Sequence, residues 1–197
     1  MDAQFALAGK DFAISVTDKT AASSIVKLKH NEDKTYALTP QTLMSVSGEP
    51  GDTSNFSEYI QGNTRLYGIR NQHELSLSET ASFVRGELAT ALRSRRPYQV
   101  NLLVVGFDNK SEEASVYWID YLAGMAKVPY AAHGYCAYFV YAVLDREYKP
   151  DISLEQGLDI VKKCFVALKT RFLIEFSDYT IKVVDRDGQR EIKVEDI

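Results

Sequence analysis

The stretch TLMSVSGEPGDTSNFSEYI, residues 42–60, passes from a strand pattern to a helix pattern across a single turn. Its first part, residues 42–47, is typical of a short strand that a glycine ends. Residues 48–52 form a turn in which Asp52 is placed to cap a helix. Apolar side chains then recur at helical spacing from Phe56 onward. The stretch therefore predicts a strand that leads directly into a helix.

Strand patterns surround this stretch, and helix patterns occur in two pairs. Strands are predicted at residues 5–8, 12–16, 24–29, 34–38, 42–47, 99–107, 115–120, 179–184 and 191–194. Helices are predicted to begin at Asp52, Ser76, Cys136 and Ser153, and those at Ser76 and Ser153 open with capping boxes. For the apolar run at residues 136–144, periodicity alone also permits a strand, but its length favours a helix. The apolar stripe predicted for the last helix consists of Leu154, Leu158, Val161, Phe165 and Leu168.

The order of these elements is strands, two helices, strands, two helices and strands. Each helix has one apolar face, which must be buried against another layer. Two facing sheets with a helix pair outside each would bury all four faces. The sequence therefore predicts a layered α+β sandwich in a single domain, residues 1–197, since a chain of this length is typical of one domain.

Composition and charge argue against several classes of protein. The chain has 23 Lys and Arg against 27 Asp and Glu, a formal net charge of -4, which argues against binding nucleic acid by bulk charge. The longest apolar run, residues 136–144, is too short to span a bilayer, and the first residues lack the pattern of a secretory signal. Cys136 and Cys164 belong to no CxxC pair, so we expect free thiols in a reducing, intracellular compartment.

The sequence has no motif for a metal, a phosphate group or a cofactor. The histidines lack partners at metal-ligand spacing; they are His30, His73 and His133. Residues 48–51 open a helix but lack the lysine of a phosphate loop. His133 and Cys136 are close enough in sequence for a base and its nucleophile. Cys136, however, begins the most apolar stretch, where a thiolate is poorly solvated and a buried cysteine acts as a small hydrophobe.

One basic cluster, Arg93-Ser-Arg-Arg96, lies at the end of the second predicted helix. The helix dipole favours cations at this end. An RNA-binding surface would require aromatic side chains interleaved with the arginines, and only Tyr98 is near. The residues alone therefore favour a solvated helix end or a charged patch that faces a protein partner.

Six blocks of sequence carry a resemblance to a known family. They are residues 47–53, 56–61, 93–101, 120–123, 131–135 and 144–148. In this order, and with the order of elements above, they resemble the beta subunits of the 20S proteasome, most of all the beta-4 class, also called beta type-2. The resemblance covers Met1 to Glu195. It implies the N-terminal-nucleophile hydrolase fold, which is a four-layer αββα sandwich.

The resemblance also implies a site that has lost its chemistry. Catalytic members expose an N-terminal threonine, whose hydroxyl attacks the peptide carbonyl and whose amine acts as the base. This chain instead starts at Met1, without a Gly-Thr junction. Lys34 corresponds to the active-site lysine and Gly48 to the oxyanion-hole glycine. The other positions have changed residue type: they are Thr17 and Phe172, in place of two aspartates, and Tyr135, in place of a serine.

Since function must be argued from a complete site, the resemblance implies a non-catalytic structural subunit of the 20S core particle, not an enzyme. Its work would be to support assembly and to form part of the chamber for ATP- and ubiquitin-dependent protein degradation. The implied partners are neighbouring and opposing beta subunits and alpha subunits, with no nucleic acid and no membrane. The implied location is the cytoplasm and nucleus. Two alternatives stay open: a stand-alone hydrolase of the same fold that uses Cys136, and an RNA-binding module that uses Arg93, Arg95 and Arg96.

Overall fold

The computed structural model describes residues 2–23, 26–171 and 178–194. The strands in these ranges are β1 (Gln4–Ala8), β2 (Phe12–Asp18), β3 (Ala21–Ser23), β4 (Val26–Lys29), β5 (Thr35–Thr39), β6 (Thr42–Gly48), β7 (Val100–Asp108), β8 (Glu113–Ile119), β9 (Met125–Val128), β10 (Tyr130–His133), β11 (Tyr179–Asp185) and β12 (Gly188–Ile192). The helices are α1 (Pro50–Asn71), α2 (Leu77–Leu92), α3 (Ala137–Glu147) and α4 (Leu154–Arg171). Met1 and Phe172, two of the predicted site positions, lie outside the described residues, as do residues 24 and 25 of a predicted strand.

Two antiparallel sheets of five strands form the centre of the fold. The first sheet has the strand order β10-β1-β2-β11-β12, and the second has the order β5-β6-β7-β8-β9. The short strands β3 and β4 pair with each other beside them. Between the two sheets, the first sheet contributes mainly alanines and the second mainly larger side chains, so the two faces fit closely. This inter-sheet layer comprises Ala6, Ala8, Ala13, Leu43, Leu103, Val105, Val116, Ala131 and Val184.

A pair of helices covers the outer face of each sheet. In one outer layer, Phe56 and Ile60 of α1 and Val84 of α2 pack with residues of the second sheet such as Leu102. In the other layer, α3 and α4 pack with the first sheet, and this cluster contains Phe5, Phe12, Val140 and Val161. The order helix, sheet, sheet, helix confirms the predicted αββα sandwich. Within the described ranges, no helix is long and apolar enough to cross a membrane.

The sequence signals for helix starts agree with the structure at two helices and disagree at one. Ser76 and Glu79 form the reciprocal capping box predicted for α2. Ser153 and Gln156 likewise exchange hydrogen bonds at the start of α4. The prediction that Asp52 caps α1 is wrong, because the helix begins at Pro50, and the Asp52 carboxylate instead accepts a hydrogen bond from the backbone N–H of Gln99. Proline suits a first helical position, since it lacks the N–H that would be unpaired there.

Candidate functional site

Lys34 lies immediately before β5, and its ammonium group is surrounded by oxygen atoms. Its Nζ lies 2.7 Å from Asp2 Oδ1, 2.9 and 3.0 Å from the two carboxylate oxygens of Asp18, and 2.8 Å from the backbone oxygen of Thr20. Its side chain is only 10% exposed. An ammonium group has three donors and no acceptor. The hydrogen-bonding capacity of Lys34 is therefore fully used within the protein.

Asp18, at the end of β2, is the buried partner of this lysine. Its side chain is 0% exposed, and it also accepts hydrogen bonds from the backbone N–H groups of Ala3 and Thr20, at 2.8 and 2.9 Å. Burial raises the pKa of the Asp18 carboxyl, but these donors all require an acceptor and hold the group ionised at neutral pH. Burial alone would lower the pKa of Lys34, yet the charges of Asp18 and Asp2 outweigh it and raise that pKa above its ordinary value. The pair is therefore a buried ion pair.

Asp2 connects this ion pair to the end of β6. One oxygen of its carboxylate binds Lys34, and the other accepts a hydrogen bond of 3.3 Å from the backbone N–H of Gly48. Gly48 has φ +144°, and a Cβ at this position would lie 2.1 Å from the backbone oxygen of Gln99. Only glycine fits here without a backbone shift. The Gly48 N–H thus binds the same carboxylate as Lys34, through its other oxygen.

A cavity of about 680 Å³ opens beside Asp2, Lys34 and Gly48. The start of α1 contributes four residues to its wall, which are Glu49, Pro50, Thr53 and Ser54. The cavity thus joins a cation, a backbone donor and a helix N-terminus. These groups favour bound negative charge, whereas the carboxylates of Glu32, Asp33 and Glu49 in the same wall oppose it. It provides no proton acceptor at Lys34, because the ammonium has no lone pair.

The comparisons with known proteins agree with this architecture. The sequence profile of the family described as "Proteasome subunit" matches residues 3–184. The chain belongs to the proteasome subunit family. It is 48% identical over 196 residues to the probable proteasome subunit beta type-4 of Neurospora crassa, covering 100% of this chain and 97% of the relative. It is 45% identical to the proteasome subunit beta type-4 of Saccharomyces cerevisiae, covering 98% and 97%, and 44% identical to the proteasome subunit beta type-2-A of Arabidopsis thaliana, covering 97% and 93%. The resemblance to proteasome beta subunits is therefore confirmed.

In this proteasome-family chain, Thr17 is not the residue that contacts the Lys34 ammonium. Successive side chains of a strand point to opposite faces, and Thr17 lies one residue before the carboxylate that binds Lys34. Its buried hydroxyl has no hydrogen-bond partner among the described residues. The expectation that the lysine has lost its acidic neighbour is wrong, because Asp18 supplies a carboxylate in direct contact with it. An alignment shifted by one residue would have found Asp18 from the sequence.

Tyr135 is the remaining predicted site position that the structure describes. It lies in the turn between β10 and α3, with its side chain 62% exposed. The described residues that line the cavity do not include it. Of the predicted site residues, the structure therefore brings together Lys34 and Gly48. It adds Asp2 and Asp18, which the sequence analysis did not identify.

Cys136 and His133 do not form a nucleophile and base pair in this proteasome-family fold. The Cys136 thiol donates to the backbone oxygen of His133 at 3.2 Å, whereas the His133 ring donates from Nε2 to the backbone oxygen of Leu102 at 3.1 Å. Burial raises the pKa of the Cys136 thiol to about 11, so it stays protonated at neutral pH. Among the described residues, no group of three or more His, Cys, Asp or Glu side chains is arranged to hold a metal ion.

His133 is expected to make the stability of the fold depend on pH. It is buried between the sheets and stacks on Trp118, with the ring centroids 5.1 Å apart. Burial lowers its pKa to about 4, so an unfolded chain binds its proton more readily than the folded one does. The stabilising contribution is complete above about pH 6.5 and is lost as the pH falls towards 4, by about 3 kcal/mol in total. Urea unfolding at several pH values in this range measures how steeply the free energy of unfolding changes with pH.

Two variants separate this effect from the titration of carboxylates. His133→Gln keeps an N–H donor for the Leu102 carbonyl but cannot bind a proton, so its stability should fall less steeply with acid than that of the native chain. His73→Gln, at an exposed histidine, should leave the slope unchanged. Identical slopes for all three proteins would show that His133 is not the titrating group.

The basic cluster at the end of α2 is exposed in the structure, at Arg93, Arg95 and Arg96. Tyr98, the aromatic residue nearest to it in sequence, is directed into the fold and packs on Phe56 with the ring centroids 5.1 Å apart. Its ring therefore does not serve as an exposed platform for stacking a nucleic-acid base.

Proposed function

We propose that this chain is a non-catalytic structural subunit of the beta ring of the 20S proteasome core particle. One observation carries the proposal of inactivity: the group that lies against Lys34 ahead of β1 is the carboxylate of Asp2, at 2.7 Å. The nucleophile that the family resemblance implies is a threonine hydroxyl whose own amine acts as the base, and a carboxylate supplies neither group. The Asp2 carboxylate also occupies the N–H of Gly48, the donor that the family resemblance equates with the oxyanion hole.

The proposed partners are neighbouring and opposing beta subunits and alpha subunits, in the cytoplasm and nucleus. The relatives named above, which are proteasome subunits by name, support this assignment. Large apolar side chains on different elements support it as well: Ile69 of α1 is 77% exposed, and Tyr138 of α3 is 78% exposed. Apolar groups at several places on a surface are suited to several subunit contacts. The subunit would then contribute to the wall of the chamber for ATP- and ubiquitin-dependent protein degradation.

We expect the tagged chain, purified from its own cells under native conditions, to elute in a particle many times its own mass of 22.2 kDa. Association would cover the exposed apolar side chains, which gives the particle its stability. Native mass spectrometry would measure the particle, and peptide sequencing would identify the co-purified proteasome subunits. Recovery of only a monomer or a homodimer would contradict the assembly assignment.

The same preparation tests inactivity when it is treated with an electrophilic peptide that labels N-terminal nucleophiles. Catalytic neighbours in the particle should gain the mass of the label, and they serve as the internal positive control. This chain should keep its unmodified mass. An adduct on this chain would overturn the non-catalytic assignment while leaving its membership in the particle intact.

A further inference from the structure

Two hydrogen-bond donors of the second sheet converge on one carboxylate that belongs to the first sheet. Lys34 Nζ lies 2.7 Å from one oxygen of Asp2, and the Gly48 N–H lies 3.3 Å from the other. Asp2 precedes β1 in the first sheet, whereas Lys34 and Gly48 flank the β5–β6 hairpin of the second. Two hydrogen bonds to different oxygens, one of them from a charged donor, fix the orientation of the carboxylate.

The two donors are positioned by contacts that do not involve Asp2. Lys34 is held by both oxygens of Asp18 and by the Thr20 carbonyl. Gly48 is held by the antiparallel register of β6 and β7, in which it pairs with Val100. The donors should therefore keep their positions when the Asp2 side chain is absent.

We propose that Lys34 Nζ and the Gly48 N–H form a carboxylate-binding site, which Asp2 occupies as a built-in ligand and which binds a free monocarboxylate when that side chain is removed. The adjoining cavity of about 680 Å³ gives such a molecule access from solvent. This inference does not depend on the proposed function, since it concerns two donors and the anion between them.

The charges around the cavity restrict which anion the site accepts. Glu32, Asp33 and Glu49 also line it, and Lys29 is the one further cation among its described lining residues. Asp33 is partly neutralised by Lys182, at 2.6 Å, but the other two carboxylates repel additional negative charge. A singly charged, planar carboxylate matches the two donors and meets less repulsion than a doubly charged anion. Formate and acetate should therefore bind, and sulfate should not.

Chemical rescue of Asp2→Ala in the full chain tests the site. The variant should unfold at a lower temperature than the native chain, because the contact between the two sheets is lost. Its unfolding midpoint should then rise with the logarithm of the formate or acetate concentration, as expected for a ligand that binds only the folded state. Chloride and sulfate at equal ionic strength control for screening. The native chain in each salt measures the general salting-out effect, so the site is measured by the rise that the variant shows beyond the native chain.

Two further measurements keep the proposal falsifiable. Adding Lys34→Met to Asp2→Ala should abolish the response to formate, whereas adding Lys127→Met, at an exposed lysine, should leave it intact. If Asp2→Ala does not fold in chloride, its refolding yield from urea is compared in formate and in chloride, and a yield that formate alone restores supports the site. Equal behaviour in formate, sulfate and chloride, in either measurement, would overturn the proposal.

Discussion

Replacing Lys34 by methionine should lower the free energy of unfolding by about 3–5 kcal/mol, the range for breaking a buried ion pair on one side. The variant keeps the apolar stem but removes the ammonium from Asp18, whose side chain is completely buried. The carboxylate would then be left in the interior without its cation, and it must either lose its charge or draw in water. Urea unfolding of the full chain at neutral pH measures the change.

Two controls test whether the buried carboxylate causes this loss. Lys127→Met removes the exposed ion pair with Glu113 and should change stability by about 0–1 kcal/mol. Adding Asp18→Asn to Lys34→Met should recover part of the loss, because the amide carries no charge and its single oxygen can still accept a hydrogen bond from one of the Ala3 and Thr20 N–H groups. If Lys34→Met is no more destabilising than Lys127→Met, the ion pair is not the stabilising feature that its geometry indicates.

The elements that the sequence predicted well are those whose signals are local. The capping box at Ser76 and Glu79 lies within four consecutive residues and marks the start of α2 correctly. The change of period after residue 47 likewise locates the passage from β6 to α1. The short strands β3, β9 and β10 were missed. β9, for example, is mostly exposed and offers little apolar pattern. Local patterns therefore sufficed for the order of layers but not for every strand.

The candidate site was predicted less completely, because its residues meet only through long-range pairing. Lys34 and Gly48 were identified through the family resemblance, and they do lie together. Asp18 was missed by one position in favour of Thr17, and in a strand such a shift moves a side chain to the other face. Asp2 carries no local sign of its role, since its partners are 32 and 46 residues away in sequence. These contacts depend on how the two sheets pack.

The apolar face of α4 shows the same limit of local patterns. The predicted stripe includes Leu158 and Phe165, which are only partly buried. The buried residues of the helix are Gly157, Ile160, Val161, Cys164 and Leu168. A Cβ at Gly157 would lie 2.9 Å from the Phe12 ring, so the missing side chain lets this helix approach the first sheet closely. The periodicity predicted the correct side of the helix, but the buried face is shifted by about one residue from the predicted stripe.

Phe5→Ala should therefore be the more damaging of two related core substitutions, at about 3–5 kcal/mol. Phe5 is fully buried on β1, in the middle of the layer between the first sheet and its helices. Phe165 packs against that layer from a half-buried position, edge-on to Phe5 with the ring centroids 6.2 Å apart and stacked on Tyr179 at 4.1 Å. Phe165→Ala should be less destabilising, at about 2 kcal/mol, because less apolar area returns to water.

The contact between the two rings makes their joint removal informative. Since the rings touch, the double variant should lose less than the sum of the single losses, by about 0.5–1.5 kcal/mol, the energy of one aromatic pair. Urea unfolding of the four proteins under the same conditions gives all the terms. A larger loss for Phe165→Ala than for Phe5→Ala would contradict the position of Phe5 in the middle of the layer between the first sheet and its helices.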